Sequence, residues 1–228
     1  MRIIQVVGTS GTGKTTFIRE LITYLTPPAR IAVVKHLGHH LFPLEQEKDT
    51  TLFFEAGIAR SVGIDVEKSV ILARDAGLDP VLRELCDTGV TVAIVEGFKS
   101  VLFPRIVFGD LPSPKVVLRN PSVAEVVQNL AQFPTMVTLQ GLVQELDYLS
   151  GAGAKDVIST LRLPREGGAD VEDTAALQRE IALRPGVTGA RAGVQELDGH
   201  RYLLLAVRAV DRASAIQAIE AGEGGRRP

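Results

Sequence analysis

The feature that most constrains this chain is an octapeptide near its start, Gly-Thr-Ser-Gly-Thr-Gly-Lys-Thr at residues 8–15. It fits the pattern G-x-x-x-x-G-K-[ST] at every fixed position. The apolar run at residues 3–7 predicts a buried strand before it, and apolar residues at helical spacing over 15–25 predict a helix after it. This order gathers backbone N–H groups and the positive end of a helix dipole around one anion. The segment predicts a phosphate-binding loop, and the alternative is a chance match in a tight strand–helix turn.

The loop and the first turn of the following helix supply the candidate nucleotide ligands. They are Gly8, Thr9, Ser10, Gly11, Thr12, Gly13, Lys14, Thr15 and Thr16. Lys14 has the reach to contact the β- and γ-phosphates, and the Thr15 hydroxyl is a suitable Mg²⁺ ligand. The pattern predicts a nucleoside triphosphate without specifying its base. Because the sequence lacks the common guanine-reading motif Asn/Thr-Lys-x-Asp, the residues alone leave GTP and ATP open.

Strand-like and helix-like segments alternate along the first 150 residues. Further strands are predicted at residues 30–34, 61–64, 69–72, 90–95, 106–108, 115–118 and 136–139, and further helices at 50–56, 79–86 and 142–149. Strands that are apolar throughout are typical of a parallel sheet covered on both faces. We therefore predict, for residues 1–150, an α/β fold of the P-loop NTPase-like type with a mostly parallel sheet and helices on both faces.

The remaining residues predict a second, smaller unit. At ~150 residues per domain, the 228 residues of the chain correspond to about one and a half domains. A small-residue linker at 151–154 precedes predicted elements at 157–163, 174–183, 187–194, 202–210 and 212–221. A turn at Asp198-Gly199 is expected to join the two later strands. The resulting order β-α-β-β-α predicts a small α+β (ferredoxin-like) unit over residues 154–222, with no role assigned.

Charged side chains follow the predicted strands where ligands bind in doubly wound sheets, beyond the carboxyl ends. Glu96 has the position of an acid that holds Mg²⁺ through water, although it could also be a capping or surface acid. Asp49 either completes the metal shell or caps the following helix. Both carboxylates are candidate catalytic residues. Lys35 and Lys99 either neutralise phosphate charge or are exposed lysines packed along the sheet.

The histidines and the cysteine also have competing interpretations. His36, His39 and His40 could bind zinc, but no cysteine lies nearby, and contacts to phosphate or neutral hydrogen bonds are favoured. Cys86 lies among helical leucines, which favours a buried structural thiol over a nucleophile. We interpret His200, beside Asp198-Gly199, as a turn residue.

Composition excludes several classes of protein. The chain has 25 Lys and Arg against 27 Asp and Glu, a net charge of −2, and no basic run that would track a nucleic-acid backbone. No stretch approaches the ~18 apolar residues of a membrane span, and the apolar run at residues 3–7 is too short for a signal peptide. We therefore expect a cytoplasmic protein without nucleic-acid or membrane partners.

Four segments together resemble one family. They are the loop at residues 8–16, Val-Val-Lys-His at 33–36 with His39-His40, Lys-Asp-Thr at 48–50 with Ala56-Gly57, and Val-Glu-Gly-Phe-Lys at 95–99. In this order they resemble the MobB family, the adapter proteins of molybdopterin-guanine dinucleotide biosynthesis, over residues 1–150. Leu37-Gly38 and Glu47 depart from the family pattern, and residues 154–222 lie outside it.

The resemblance implies a cytoplasmic, dimeric P-loop protein that binds GTP with Mg²⁺ and hydrolyses it slowly. It also implies a partner, the guanylyltransferase (MobA) that attaches GMP to the molybdenum cofactor. Carried over by position, the phosphate ligands are Gly11, Gly13, Lys14, Thr15 and Thr16. Asp49 and Glu96 surround the metal, and His36 and Lys99 line the site.

Two other functions remain open from the sequence. A P-loop small-molecule kinase would use Asp49 or Glu96 as base, but it needs an arginine-rich lid, and the arginines of residues 1–150 are scattered. In a nucleotide-switched binding module, the C-terminal unit would serve dimerisation or ligand sensing.

Overall fold

The central sheet is built from five short, mostly apolar runs. The computed structural model describes residues 1–38, 41–74, 77–150, 156–165, 174–197 and 200–224. The elements before residue 139 are β1 (Arg2–Gly8), α1 (Lys14–Leu25), β2 (Ile31–Lys35), α2 (Asp49–Glu55), β3 (Arg60–Ile64), β4 (Ser69–Ala73), α3 (Leu78–Asp87), β5 (Val92–Glu96), β6 (Arg105–Phe108), β7 (Val116–Arg119) and α4 (Val123–Gln128). The sheet has the order β2-β5-β1-β6-β7 with all strands parallel. The predicted α/β fold is therefore confirmed.

Helices cover both faces of this sheet, which explains why its strands are apolar throughout. Successive residues of a strand point to opposite faces. Ile4 of β1 belongs to the core beneath α1 and α4, where Leu21 is fully buried. Ile3 belongs to the core beneath α3, together with Leu82 and Cys86. Cys86 is buried, as predicted for a structural thiol.

Strands β3 and β4 form a separate antiparallel hairpin beside α2. A Cβ on Gly63 would lie 3.1 Å from Cγ2 of Thr50, so one face of the hairpin packs directly on α2. Residues of β3 and β4 that pair with each other share a face, and Val62 pairs with Ile71. Because Val62 neighbours Gly63 in the strand, Val62 and Ile71 lie on the opposite face.

The C-terminal elements form the predicted small α+β unit. They are β8 (Val157–Arg165), α6 (Thr174–Ala182), β9 (Val187–Leu197), β10 (His200–Ala209) and α7 (Arg212–Gly224). The sheet is antiparallel with the order β8-β10-β9, so the predicted β-α-β-β-α order is confirmed. Helices α6 and α7 bury one face around Leu177, Leu203 and Leu205.

A helix from the preceding segment covers the other face of this sheet. Helix α5 (Leu139–Ser150) packs Leu142 and Leu146 against Leu204 of β10. The guanidinium of Arg208 donates to the Leu146 carbonyl at 3.1 Å and pairs with Asp147 at 2.9 Å. Helix α5 also contacts α3. The division into domains 1–150 and 154–222 stays a prediction, and α5 packs against elements on both sides of that division.

The strand predicted at residues 136–139 is wrong. Only an isolated antiparallel bridge joins Thr135 to Arg2, and α5 begins at Leu139. The apolar run is partly buried because it connects two cores. Met136 packs into the core beneath α3, whereas Val137 and Leu139 pack into the core between α5 and β10.

One α-helix and the short 3₁₀ helix after it (Leu130–Gln132) were not predicted, and some predictions fall on residues that are not described. Helix α4 begins with a capping box, in which Ser122 and Glu125 satisfy each other's backbone N–H groups. The Asp198-Gly199 turn, the linker at 151–154 and the pair His39-His40 lie outside the described residues. His200 is described as the first residue of β10. None of the helices in the described ranges has both the length and the apolar character needed to cross a bilayer.

Candidate functional site

The loop between β1 and α1 has a backbone shape that requires glycine. A Cβ on Gly8 would lie 2.5 Å from the carbonyl oxygen of Phe108 in the neighbouring strand, a distance that no side chain tolerates. Gly13 is the N-cap of α1 and has a φ of 82°, in the left-handed region that L side chains rarely adopt. These two positions fix the entry and the exit of the loop. The N-terminus of α1 therefore faces the concave side of the loop.

Side chains reinforce the loop from within. The Thr12 hydroxyl donates to the Thr9 carbonyl at 2.9 Å. The Lys14 ammonium donates to the same carbonyl and lies 3.4 Å from the Thr12 hydroxyl. Phe17 and Ile18 of α1 are buried against the sheet, which anchors the helix that carries Lys14. The loop is thus held by its own backbone and by the core behind it.

The loop lines a cavity of about 380 Å³, which we call the phosphate cradle. Its lining residues are 10–16, Lys35 and Glu96. Glu96 ends β5 and pairs in register with Val6 of β1 and with Lys35 of β2. Nζ of Lys35 lies 3.5 Å from the Glu96 carboxylate. The structure thus brings Glu96 to the loop, as its place at a strand end predicted.

The donor set of the cradle fits Mg²⁺. The Thr15 hydroxyl and the Glu96 carboxylate both line it, and Mg²⁺ is commonly held by one or two protein oxygens together with nucleotide phosphates. In the described residues no group of three or more His, Cys, Asp and Glu side chains could hold a metal by itself. Any metal here would therefore need the phosphates of a nucleotide as additional ligands.

A second cavity adjoins the cradle on the β5 side, and we call it the side chamber. Its volume is about 660 Å³, and its lining residues are Val7, Gly8, Ser10, Lys14, His36, Leu37, Gly38, Glu96, Gly97, Phe98, Lys99 and Ser100. It shares only Ser10, Lys14 and Glu96 with the cradle. His36 and Lys99 were predicted as nucleotide ligands, but they line the side chamber and not the cradle.

The wall of the side chamber is an aromatic pair in an unusual backbone conformation. The rings of His36 and Phe98 lie 4.6 Å apart between centroids, tilted by 34°. Phe98 has a φ of 48° and Gly97 a φ of 88°. A positive φ is rare for a bulky residue. The segment after β5 therefore needs support from its surroundings.

Two buried polar side chains supply that support. Nε2 of Gln5 donates to the carbonyls of Gly97 and Phe98, both at 2.9 Å. The Arg105 guanidinium is buried and donates to the carbonyls of Lys99, Val101 and Phe103. Burial lowers the pKa of Arg105, although a guanidinium stays protonated in proteins. We call residues 97–103 the chamber loop.

Asp49 does not reach either cavity. It is the first residue of α2, and the residue at the N-cap is Lys48, so the capping interpretation is wrong. Asp49 is also absent from the residues that line the cradle and the side chamber. As an acid in the first turn, it has a favourable interaction with the dipole of α2.

Gln5 and Arg105 were not predicted as residues of the site. A polar residue inside an otherwise apolar buried run was the available signal for Gln5, and an arginine directly before the apolar run at 106–108 was the signal for Arg105. Neither signal indicates which backbone groups the side chain contacts. The chamber loop lies about 90 residues away from Gln5 in sequence, so only the fold identifies the contact.

Comparison with known proteins places the first part of the chain in one family. A family model described as "MobB: Molybdopterin guanine dinucleotide synthesis protein B" matches residues 3–129, more than half of the chain. A putative molybdopterin-guanine dinucleotide biosynthesis adapter protein of Methanocaldococcus jannaschii is 32% identical over 111 residues, which are 47% of this chain and 47% of that protein. The adapter protein of Haemophilus influenzae is 30% identical over 108 residues, which are 46% of this chain and 61% of that protein. The chain thus spans about half of the length of the curated relatives it matches.

The solved structures to which this chain is similar include proteins named MobB. Crystallised MobB of Bacillus subtilis superposes with a TM-score of 0.46 and 20% identity, over 59% of this chain and 99% of that protein. A MobB homologue of Bacillus stearothermophilus superposes with a TM-score of 0.37 and 19% identity, over 57% of this chain and 94% of that protein.

Proposed function

This chain belongs to the MobB family of molybdopterin guanine dinucleotide synthesis proteins, and from this premise we propose that it is a GTP-binding adapter of molybdenum cofactor biosynthesis. In this role it assists the cytoplasmic guanylyltransferase (MobA) that attaches GMP to the cofactor. The observation that carries the proposal is the phosphate cradle. Its glycine loop, Lys14, Thr15 and Glu96 converge on one cavity, and all of them lie inside residues 3–129, which the family model matches.

The cradle binds a triphosphate mainly through backbone. N–H groups of residues 10–16 and the N-terminus of α1 surround the phosphates, where the helix dipole favours negative charge. Lys14 adds a full positive charge to the β- and γ-phosphates. Thr15 and Glu96 hold Mg²⁺, which when bound offsets the charge of the phosphate oxygens. An overall basic surface is unnecessary, because a few groups concentrate the positive potential at the loop.

Slow hydrolysis of GTP agrees with the environment of Glu96. The Glu96 side chain is 13% exposed and its carboxylate lies 3.5 Å from Nζ of Lys35, so it is engaged as an ion-pair partner. Phosphoryl transfer also gains from an arginine that stabilises the developing charge. No arginine is among the described residues that line the cradle. The kinase alternative therefore has no support from the geometry.

The exposed face of the hairpin supports a homodimer, which we include in the proposal. Val62, Ile64 and Ile71, on the face that points away from α2, are 52%, 81% and 50% exposed. Large exposed apolar patches mark interaction surfaces. Sedimentation of the wild-type chain and of the Val62→Asp variant tests this part of the proposal. A wild-type monomer would contradict it.

Competitive binding of GTP and ATP in the presence of Mg²⁺ tests the main proposal. We expect GTP to bind more tightly than ATP and to promote binding to the guanylyltransferase. Removal of Mg²⁺ with a chelator should weaken the binding of GTP, because Thr15 and Glu96 then lose the ion through which they hold the phosphates. Equal affinity for both nucleotides, or no effect of GTP on the guanylyltransferase, would contradict the proposal.

A further inference from the structure

The side chamber has its own walls, apart from those of the phosphate cradle. Residues 36–38 follow β2 and residues 97–100 follow β5, and neither segment lines the cradle. The chamber meets the cradle only at Ser10, Lys14 and Glu96, and the last two are the residues proposed to contact the γ-phosphate and to hold Mg²⁺. At about 660 Å³ it is within the range of about 300–1,000 Å³ of small-molecule sites. A ligand in the chamber would lie beside a nucleotide and would not replace it.

The walls of the chamber suit a flat organic ring. Leu37 contributes exposed apolar surface, and the His36–Phe98 ring pair contributes an aromatic wall. Aromatic side chains bind other rings through offset stacking and edge contacts. Phe98 also packs into the core beneath α3, which fixes the ring in place.

The charges of the chamber suit an anionic substituent on that ring. Lys14 and Lys99 contribute two ammonium groups, and His36 adds a hydrogen-bonding ring nitrogen. Glu96 is the one acidic residue that lines the chamber in the described part of the chain, and its carboxylate is paired with Lys35 at 3.5 Å. With the nucleotide bound, Lys14 contacts its phosphates, and the charge of Lys99 remains available to an incoming anion.

The chamber loop is built at a conformational cost. Phe98 keeps a positive φ, and both Gln5 and Arg105 are almost completely buried beneath the segment that contains it. Backbone strain of this kind persists where the surroundings enforce it, and it concentrates at ligand-binding positions. The strained residue is also the one that supplies the aromatic wall.

We propose that the side chamber binds a planar, anionic heteroaromatic molecule of pterin size, next to the nucleotide in the cradle. Lys99 contacts its anionic group, and the rings of His36 and Phe98 contact its ring system. This inference rests on the proposed function, since the product of the family's pathway joins a guanine nucleotide to a molybdopterin. The adapter would then hold both halves of that product side by side.

Fluorescence polarisation with pterin-6-carboxylate tests the proposal, because this probe is planar, anionic and fluorescent. The affinity of the full-length chain for guanosine 5′-(β,γ-imido)triphosphate with Mg²⁺ is measured first, by calorimetry. The pterin is then titrated into protein saturated with this nucleotide. We expect saturable pterin binding that the nucleotide does not compete away.

Two variants and a control test whether the pterin binds in the side chamber. Lys99→Ala should weaken pterin binding about tenfold, the loss expected for one charge-assisted contact, and should change nucleotide affinity less than about threefold. Phe98→Leu should weaken pterin binding about fivefold, because it keeps apolar bulk but removes the ring. Lys68→Ala is the matched control, since Lys68 is exposed in the hairpin turn and pairs with Asp65. It should bind the pterin like the wild type.

The outcomes separate this inference from the proposed function. Absence of pterin binding, or equal pterin affinity of the wild type and Lys99→Ala, overturns the inference while leaving nucleotide binding intact. Displacement of the pterin by the nucleotide also overturns it, because the chamber would then belong to the nucleotide itself. Failure of the nucleotide to bind in the first titration contradicts the proposed function instead.

Discussion

The phosphate cradle and the side chamber adjoin each other but are held in shape by different means. Seven of the residues that line the cradle are contiguous, residues 10–16, and glycines in the same short segment set its shape. The chamber combines residues that follow β2, β5 and β1. Its loop is fixed by Gln5, about 90 residues away in sequence, and by Arg105, which follows the loop by two residues. The shape of the cradle depends on its own backbone, whereas the shape of the chamber depends on buried side chains that lie outside the chamber loop. They should therefore respond to different mutations.

The largest expected effect is on the chamber and comes from Arg105→Met. The methionine fills a similar volume but leaves the carbonyls of Lys99, Val101 and Phe103 without their donor. Each buried carbonyl that loses its partner costs about 1–3 kcal/mol, so we expect the free energy of unfolding to fall by about 4 kcal/mol. Urea unfolding measures this loss. In the folded variant, GTP affinity should change less than about threefold.

Arg119→Met is the matched control for this variant. Arg119 also donates to two backbone carbonyls, those of Gly109 and Leu111, but it does so at the surface, where water can replace it. We expect it to lose less than about 1 kcal/mol. Equal losses for both variants would show that Arg105 has no special role beneath the chamber loop.

Lys14→Ala should give the opposite pattern. It removes the ammonium from the cradle, and we expect GTP affinity to fall about 100-fold, or about 3 kcal/mol, because one charge-assisted contact to phosphate is lost in a confined site. The free energy of unfolding should change little, since Lys14 lies in the first turn of α1, is only partly buried and is absent from the apolar core. Calorimetry with Mg²⁺ and GTP measures the affinity, with Lys68→Ala as control. Unchanged affinity would contradict the phosphate-loop assignment.

The parts of the fold that the sequence predicted are those with local signals. The apolar runs predicted the parallel sheet, and the octapeptide predicted the loop between β1 and α1. The run at residues 136–139 gave a wrong prediction because its apolar side chains are partly buried without pairing as a strand. These side chains pack against two separate cores. The spacing of apolar residues in the sequence does not distinguish this arrangement from a β-strand. Helix α4 had a readable signal, the Ser-x-x-Glu capping box at residues 122–125.

The same difference appears among the site residues. Glu96 could be predicted because carboxyl ends of neighbouring parallel strands meet at one edge of the sheet. His36 and Lys99 also lie at that edge, but the sequence does not indicate which cavity they line. Asp49 follows a long connection instead of a strand of the central sheet. Its distance from the cradle could therefore not be predicted from the sequence. Only the tertiary structure shows which cavity, if any, each of these three residues lines.

Gln5→Leu tests the other buried side chain that supports the chamber loop. Leucine removes the amide that donates to the Gly97 and Phe98 carbonyls but preserves most of the buried volume. We expect the free energy of unfolding to fall by about 2 kcal/mol. The NMR signals of the His36 ring should also shift, because they report the position of the adjacent Phe98 ring. Gln132→Leu, whose amide contacts Asn129 at the surface, is the control and should leave the His36 signals in place.

The smallest expected effect is Ser122→Ala, which acts away from both cavities. Loss of the N-cap of α4 should lower the free energy of unfolding by about 1 kcal/mol at neutral pH, and Ser122→Thr should retain most of it. Neither nucleotide nor pterin affinity should change. A change in either affinity would show that α4 influences a cavity whose lining residues do not include it.

The pH dependence of this variant checks the capping box itself. Hydrogen bonds from the backbone N–H and the hydroxyl of Ser122 lower the pKa of Glu125 below its usual value of 4.5. Because the pKa is lower in the folded chain than in the unfolded chain, the box stabilises the fold above the unfolded pKa and loses this contribution as the pH falls through the folded pKa. The difference in stability between the wild type and Ser122→Ala should therefore narrow on acidification. It should not vanish, because the Ser122 hydroxyl still accepts from the Glu125 N–H. A difference that stays constant from neutral pH to pH values below the folded pKa would mean that the Glu125 carboxylate contributes nothing to the cap.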